Sequence, residues 1–151
     1  MYHHRNLLVM LASFAILFAG LGSMATTAHA ATWHKGTPTA IRGTWRTKTS
    51  KSLRTYIHVT STKYNCDQMY DTKEHAYITD PYRVTNVYYH HKSGSQYYYI
   101  KGAHNTEPGT KQVYYVIHKV GNKLREHEYG QSVKGHYTKF NAKYGAWFYK
   151  I

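Results

Sequence analysis

The sequence predicts an all-β fold, a small antiparallel meander closed into a β-barrel of about eight to ten strands. After residue 30 the chain holds two leucines, seven valines, six isoleucines and sixteen tyrosines. Branched and aromatic side chains favour strands over helices. Several segments alternate with a period of two, and the links between them are too short for parallel crossovers. An open sandwich is the alternative architecture.

The first thirty residues predict a secretory signal-peptide helix that is cleaved from the barrel. Arg5 precedes an apolar run over 7–21, and Ala28-His29-Ala30 supplies the small residues of a cleavage site between Ala30 and Ala31. The alternative is a membrane anchor, but the apolar run is shorter than the roughly 20 residues of a spanning helix. We therefore expect a signal peptide over 1–30, a single β-barrel domain over 31–151, and a secreted protein that noncovalent contacts can hold at the cell surface.

The chain enters its first strand through a turn. Pro38 predicts a short helical turn over 38–42, since proline favours the first helical position. A strand over 43–48 follows, and the segment 53–61 alternates Leu53, Ile57 and Val59 with polar residues. The remaining predicted strands span 68–70, 75–79, 82–91, 96–101, 112–120, 123–129, 135–140 and 146–150.

The links predict antiparallel neighbours. Lys92-Ser93-Gly94-Ser95 and Gly121-Asn122 are typical of hairpin turns, and 105–109 is typical of a longer bend. The segment 122–132 also tolerates a helix, but the Gly-Asn turn before it favours a strand paired with 113–120.

The charge indicates a polyanionic partner. The net charge is +13 with only seven acidic residues, an excess that suits an anionic surface. Two groups of basic residues carry this prediction, one at the first hairpin and one at the Gly121-Asn122 turn. They are Lys48, Lys51 and Arg54, and Lys119, Lys123 and Arg125.

These features favour a noncatalytic binding module for an anionic cell-wall polymer or membrane headgroups. Secretion makes intracellular nucleic acid a poor candidate, although basic residues among aromatic ones also suit single strands. The alternative is an extracellular carrier of a small apolar ligand, which needs a hollow barrel. Large Tyr, Ile and Val side chains would instead fill a small one.

No pattern predicts catalysis, a metal site or a cofactor. Asp67, Asp71 and Glu74 lie beside His75, where a solvated loop is favoured over a carboxylate or metal site. A glycosidase needs two acids that face one cleft, which spacing does not show. The adjacent His90 and His91 would point to opposite faces of a strand, so they would not chelate one ion.

The sequence leaves the roles of the clustered tyrosines and of Cys66 open. Tyrosines at 88–89 and 97–99 could form a stacking platform for sugar rings or bases, or lie half in the core and half in solvent. Cys66 is the only cysteine, so no intramolecular disulfide forms, and a structural role is favoured over a reactive thiol. We expect a monomer without a transmembrane segment in the mature chain.

Two resemblances support the barrel and secretion. Gly43-Thr44-Trp45 resembles the Gly-x-Trp strand that opens the barrel of calycins, the superfamily of lipocalins and avidins. This resemblance implies a lipocalin-like (calycin-like) β-barrel, in which Trp45 plugs the closed end and 38–41 is the helical turn before it. The stretch Trp33-His34-Lys35-Gly36-Thr37-Pro38 through Arg42-Gly43-Thr44-Trp45, after an Ala-x-Ala site, resembles small secreted proteins of lactic-acid bacteria, an uncharacterised family that implies no function.

Overall fold

A computed structural model describes residues 32–104 and 111–151, all within one compact unit. The predicted signal peptide with its Ala30–Ala31 cleavage site and the predicted bend over 105–109 lie outside the described residues. The described part is built from strands and one short 3₁₀ turn, Thr39–Ile41. The strands are β1 (His34–Lys35), β2 (Gly43–Thr47), β3 (Leu53–Val59), β4 (Tyr64–Asp71), β5 (Ala76–Tyr77), β6 (Tyr82–His91), β7 (Tyr97–His104), β8 (Lys111–Val120), β9 (Lys123–Val133), β10 (His136–Lys139) and β11 (Phe148–Lys150).

Eight of these strands close into an antiparallel barrel, as predicted. The ring runs β2-β3-β4-β6-β7-β8-β9-β11 and returns to β2. Closure depends on two long-range pairings, Tyr64 with Val84 between β4 and β6, and Phe148 with Thr47 between β11 and β2. These pairings exclude the open sandwich.

Three short strands add to the barrel wall from outside the ring. β1 pairs with β6, β5 pairs with β4, and β10 pairs with β9. Each forms backbone hydrogen bonds with groups that the neighbouring barrel strand does not pair within the ring. A closed barrel with short added strands leaves few edge groups free to pair with another chain.

The hairpin turns form where the sequence predicts them. Ser95 N–H donates to the Lys92 carbonyl oxygen at 3.0 Å, and Gly121-Asn122 joins Val120 to its partner Lys123. Gly121 has a φ of 54°, which glycine adopts without steric cost. From Lys123 onward the segment is strand rather than helix, in agreement with the pairing predicted from that turn.

Several predicted boundaries are wrong. β4 begins at Tyr64 rather than at residue 68, and β5 covers two residues where 75–79 is predicted. β1 has no counterpart in the prediction. β1 forms by pairing with β6, which is distant in sequence, whereas β5 is limited to the two residues that pair with the end of β4. The local sequence of these segments alternates poorly, so pairing decides their bounds.

The core fills one part of the barrel with aromatic and branched side chains. Trp45 is fully buried, and its indole N–H donates to the Ile41 carbonyl oxygen at 2.8 Å. The 3₁₀ turn therefore packs directly on the first barrel strand. The buried cluster comprises Ile41, Trp45, Ile57, Val59, Tyr64, Cys66, Val84, Val87, Ile100, Val113, Tyr115, Ile117, Leu124 and Phe148.

One stretch of the barrel wall is incompletely paired. β11 pairs with β9 only at Lys123 and Leu124, and β10 pairs with β9 from Gly130 onward. Between these points, the segment 140–147 runs beside β9. Gly145 N–H donates to the Glu126 carbonyl oxygen at 3.2 Å. A loop thus takes the place of a strand beside the middle of β9.

Candidate functional site

The two basic groups predicted from the sequence meet on one outer face of the barrel. Lys123 in β9 pairs with Tyr149 in β11, and Tyr149 pairs with Arg46 in β2. Cross-strand partners lie on the same face of a sheet. We name this face the basic strip and define it by Arg46, Lys48, Arg54, Lys123, Arg125, Trp147 and Tyr149.

Aromatic rings hold the cations at the β9 end of the strip. The Arg125 guanidinium lies 4.7 Å from the ring centroids of both Tyr144 and Trp147. Lys123 Nζ lies 4.6 Å from the Trp147 ring centroid. Such cation–π contacts are worth about 0.5–1 kcal/mol each at exposed sites. They restrict the cations without neutralising them, so the charges stay available to a partner.

The other end of the strip forms a basic groove. A depression of about 380 Å³ is lined by Arg46, Lys48, Arg54 and Lys150, together with Tyr149 and neighbouring polar residues. None of its lining residues is acidic. Arg54 Nε donates to Thr49 Oγ1 at 2.6 Å, which orients the guanidinium beside the groove.

Two of the predicted basic residues stand apart from the strip. Lys51 is exposed in the turn between β2 and β3 and does not line the groove. Lys119 Nζ donates to the Gly121 carbonyl oxygen at 2.7 Å, so it is turned toward its own hairpin. The structure therefore assembles Lys48, Arg54, Lys123 and Arg125 from the prediction and adds Arg46.

Acidic residues lie on the inner side of the same barrel wall. A cavity of about 440 Å³ is lined by Asp67, Glu126 and Glu128, with Tyr115 and Phe148 among its other walls. Glu126 and Glu128 follow Leu124 on β9 with a period of two, which places all three on one face of the strand. We name this space the acidic cavity.

Glu126 is buried without a side-chain partner. Its side chain is 8 % exposed, and its Oε2 has no hydrogen-bond partner among the described residues. Burial, and next the charge of Glu128, raise the pKa of Glu126 from 4.5 to about 8. Burial also raises the pKa values of Glu128 and Asp67. The Glu126 carboxyl group is therefore protonated near neutral pH.

Asp67 corrects the prediction made for the first acidic segment. It lies in β4 and lines the acidic cavity rather than a solvated loop. Asp71 is the last residue of β4, and the exposed Glu74 lies in the solvated turn that follows it, as predicted. Asp71 Oδ1 accepts the Lys73 N–H at 2.8 Å, and this bond is the main cause that lowers the pKa of Asp71.

The predicted geometry of the histidine pair is confirmed. His91 stacks on Tyr98 with centroids 4.1 Å apart, whereas His90 lies near Trp33 and Tyr99. The described residues contain no group of three or more His, Cys, Asp or Glu side chains that could hold a metal ion.

The tyrosines and Cys66 occupy mixed positions. Tyr97 and Tyr99 are exposed, and Tyr97 stacks on His118 with centroids 4.6 Å apart. Tyr98 instead packs against the core cluster. Cys66 is fully buried in that cluster, and burial raises the pKa of its thiol. One of the three tyrosines at 97–99 thus contributes to the core, and the other two face solvent.

Comparison with protein-family models, with curated proteins and with solved structures finds no match for this chain. The basic strip and the acidic cavity are the features of the described residues that bear on function. Within the described ranges, no helix is long and apolar enough to cross a membrane.

Proposed function

We propose that this protein is a secreted, noncatalytic module that binds anionic cell-envelope polymers on the basic strip. The observation that carries the proposal is the register Lys123–Tyr149–Arg46, which joins two basic groups far apart in sequence into one surface. Charges along one outer face suit a long anionic chain, either a cell-wall polymer or a layer of lipid headgroups.

The chemistry of the strip supports phosphate-bearing partners. Arginine presents a planar fork that binds phosphate or carboxylate through two parallel hydrogen bonds. Arg46 and Arg54 line the groove, and Arg125 is held between Tyr144 and Trp147. Rings beside these cations also offer apolar contact to sugar or glycerol units of a polymer.

The expected affinity follows from the number of cations. Each Lys or Arg near an anionic surface contributes about 1 kcal/mol. The five cations of the strip thus give about 5 kcal/mol, which corresponds to a Kd between about 1 mM and about 1 μM. Repeated contacts along one polymer raise the retention further. The binding is electrostatic, so salt must weaken it.

A charge-matched comparison tests the proposal. The strip variant Arg46→Gln/Lys123→Gln/Arg125→Gln loses three positive charges. The control variant replaces the exposed Lys63, Lys73 and Lys134 with glutamine and loses the same number. We expect the strip variant to lose at least about tenfold in affinity for polyphosphate and for vesicles rich in phosphatidylglycerol. The affinity of the control variant should fall less, because only its net charge has changed.

Two results would contradict the proposal. Equal losses in the strip and control variants would show that net charge alone attracts the polyanion. Binding unchanged between low salt and about 0.5 M NaCl would exclude an electrostatic mechanism. Secretion is tested separately by N-terminal sequencing of protein from the culture medium, for which we expect a first residue of Ala31.

The acidic cavity does not favour the alternative of an apolar-ligand carrier. Asp67, Glu126 and Glu128 line it, and an apolar ligand would bury these carboxyl groups without hydrogen bonds, which is costly. The exterior strip therefore carries the proposed function.

A further inference from the structure

The acidic cavity concentrates half of the described acidic residues in a strongly basic protein. Asp67, Glu126 and Glu128 line it, and the other described acids are Asp71, Glu74 and Asp80. Buried carboxyl groups normally find a partner. Glu126 Oε2 and Glu128 Oε1 are both buried and have no hydrogen-bond partner among the described residues. These two carboxyl oxygens are therefore buried without any hydrogen-bond partner in the described part of the fold.

The walls of the cavity combine these acceptors with apolar surface. Phe140, Ala142, Ala146 and Phe148 line it together with the carboxyl groups. Its volume of about 440 Å³ falls in the range of about 300–1,000 Å³ typical of small-molecule sites. A bare ion would leave most of this space and all of the apolar wall unused.

We propose that the acidic cavity binds a small organic cation, with an ammonium group against Glu126 and Glu128 and a carbon chain against Phe140 and Phe148. A second positive group on the same ligand would meet Asp67, which β4 contributes four strands away from β9 in the eight-strand ring. An aliphatic diamine therefore suits the arrangement best.

The ligand enters the acidic cavity past the segment 140–147. It lies along β9 in place of a paired strand, held by the bonds from Gly145 N–H to the Glu126 carbonyl oxygen and from Phe140 N–H to the Tyr129 carbonyl oxygen. A loop opens at a lower free-energy cost than a strand inside a sheet. The exposed Lys143 of this segment also lines the cavity.

Proton release is a signature of this mode of binding. Burial keeps Glu126 protonated near neutral pH, so an ammonium that pairs with its carboxylate must displace that proton. The other titratable groups that line the cavity are Asp67, Tyr115, His127, Glu128 and Lys143. For each proton released, the affinity should rise by up to about tenfold per pH unit below about pH 8.

Isothermal titration calorimetry of the purified protein with 1,4-diaminobutane tests the proposal. The matched ligand is 1,4-butanediol, which has the same chain and no charge. The matched variant is Glu74→Gln, which removes an exposed carboxylate outside the cavity. We expect the diamine to bind, the diol not to bind, and Glu126→Gln to weaken diamine binding by at least about tenfold. Glu74→Gln should leave the affinity within about twofold of wild type.

Several outcomes would overturn the proposal. They are no binding of the diamine to the wild-type protein, equal binding of the diol, and equal losses in the two variants. If Glu126→Gln fails to fold, wild-type titrations in two buffers of different ionisation enthalpy decide. If diamine binding then releases no proton near neutral pH, the ammonium group does not pair with the Glu126 carboxylate and the proposal is wrong. Each result leaves polyanion binding on the basic strip unaffected, so the two proposals fail independently.

Discussion

Replacing Glu126 with glutamine should remove much of the pH dependence of stability. In the folded protein, burial raises the pKa of Glu126 from 4.5 to about 8. Between these values the folded state keeps a proton that the unfolded state has lost. Stability therefore falls as pH rises through this window.

The magnitude follows from the size of the shift. Each pKa unit corresponds to 1.36 kcal/mol, so the full shift of about 3.5 units gives about 5 kcal/mol. The part expressed between about pH 5 and about pH 7.5 is about 3 kcal/mol, because the ends of the window lie outside that range. A glutamine at this position does not ionise, so the variant should lack this loss.

Urea unfolding at the two pH values measures the effect. The free energy of unfolding of Glu126→Gln minus that of the wild type should increase by about 3 kcal/mol from about pH 5 to about pH 7.5. The histidines whose pKa values burial lowers, His118 and His127, give a trend of opposite sign. They are present in both proteins, so their contribution cancels in the difference. The control Glu74→Gln should run parallel to the wild type.

The reasoning would be refuted by parallel curves. If the difference between Glu126→Gln and the wild type changed by less than about 0.5 kcal/mol over this range, Glu126 would be ionised in the folded protein. The acidic cavity would then be hydrated well enough to hold a free carboxylate.

Three further predictions concern the core. Trp45→Ala should lower the free energy of unfolding by about 3–5 kcal/mol in urea, and a loss below about 1 kcal/mol would contradict its role in packing. Cys66 should resist Ellman's reagent in the native protein and react on unfolding, because burial disfavours the thiolate; fast native labelling would show an accessible thiol. Gly102→Ala should cost about 1–3 kcal/mol, since a Cβ there would lie 2.6 Å from the Thr85 carbonyl oxygen. Gly145→Ala, whose Cβ would have only an ordinary contact, should be close to neutral when both glycine variants are compared by urea unfolding.

The sequence predicts the barrel because its local signals agree with one another. Composition favours strands, and the hairpin turns at 92–95 and 121–122 set the order of neighbours. The 3₁₀ turn after Pro38 is also local, since it depends on proline geometry. The start of β4 at Tyr64 is only partly local. Tyr64 pairs with the nearby Val59 of β3, but it also pairs with Val84 in β6, and nothing in the sequence near Tyr64 specifies that distant partner.

The acidic cavity was harder to predict than the basic strip. In β9, Leu124, Glu126 and Glu128 alternate with Arg125 and His127, so either face could be the inner one. Charged residues normally lie outside, which argues against an inward glutamate. The burial of Leu124 and its pairing with Phe148 of β11 determine which face of β9 points into the barrel. Once Leu124 faces inward, the period of two carries both glutamates with it.

The two candidate sites share β9 and occupy its opposite faces. Arg125 lies outside with Tyr144 and Trp147, and the next residue, Glu126, lies inside the acidic cavity. The pKa of Glu126 is set by its burial and by Glu128, so the exterior cations do not control the interior carboxyl group. Substitutions in the basic strip should thus change polyanion binding without changing the titration of the cavity. The same alternation that hides the glutamates from a sequence-based prediction also makes the two surfaces separable by experiment.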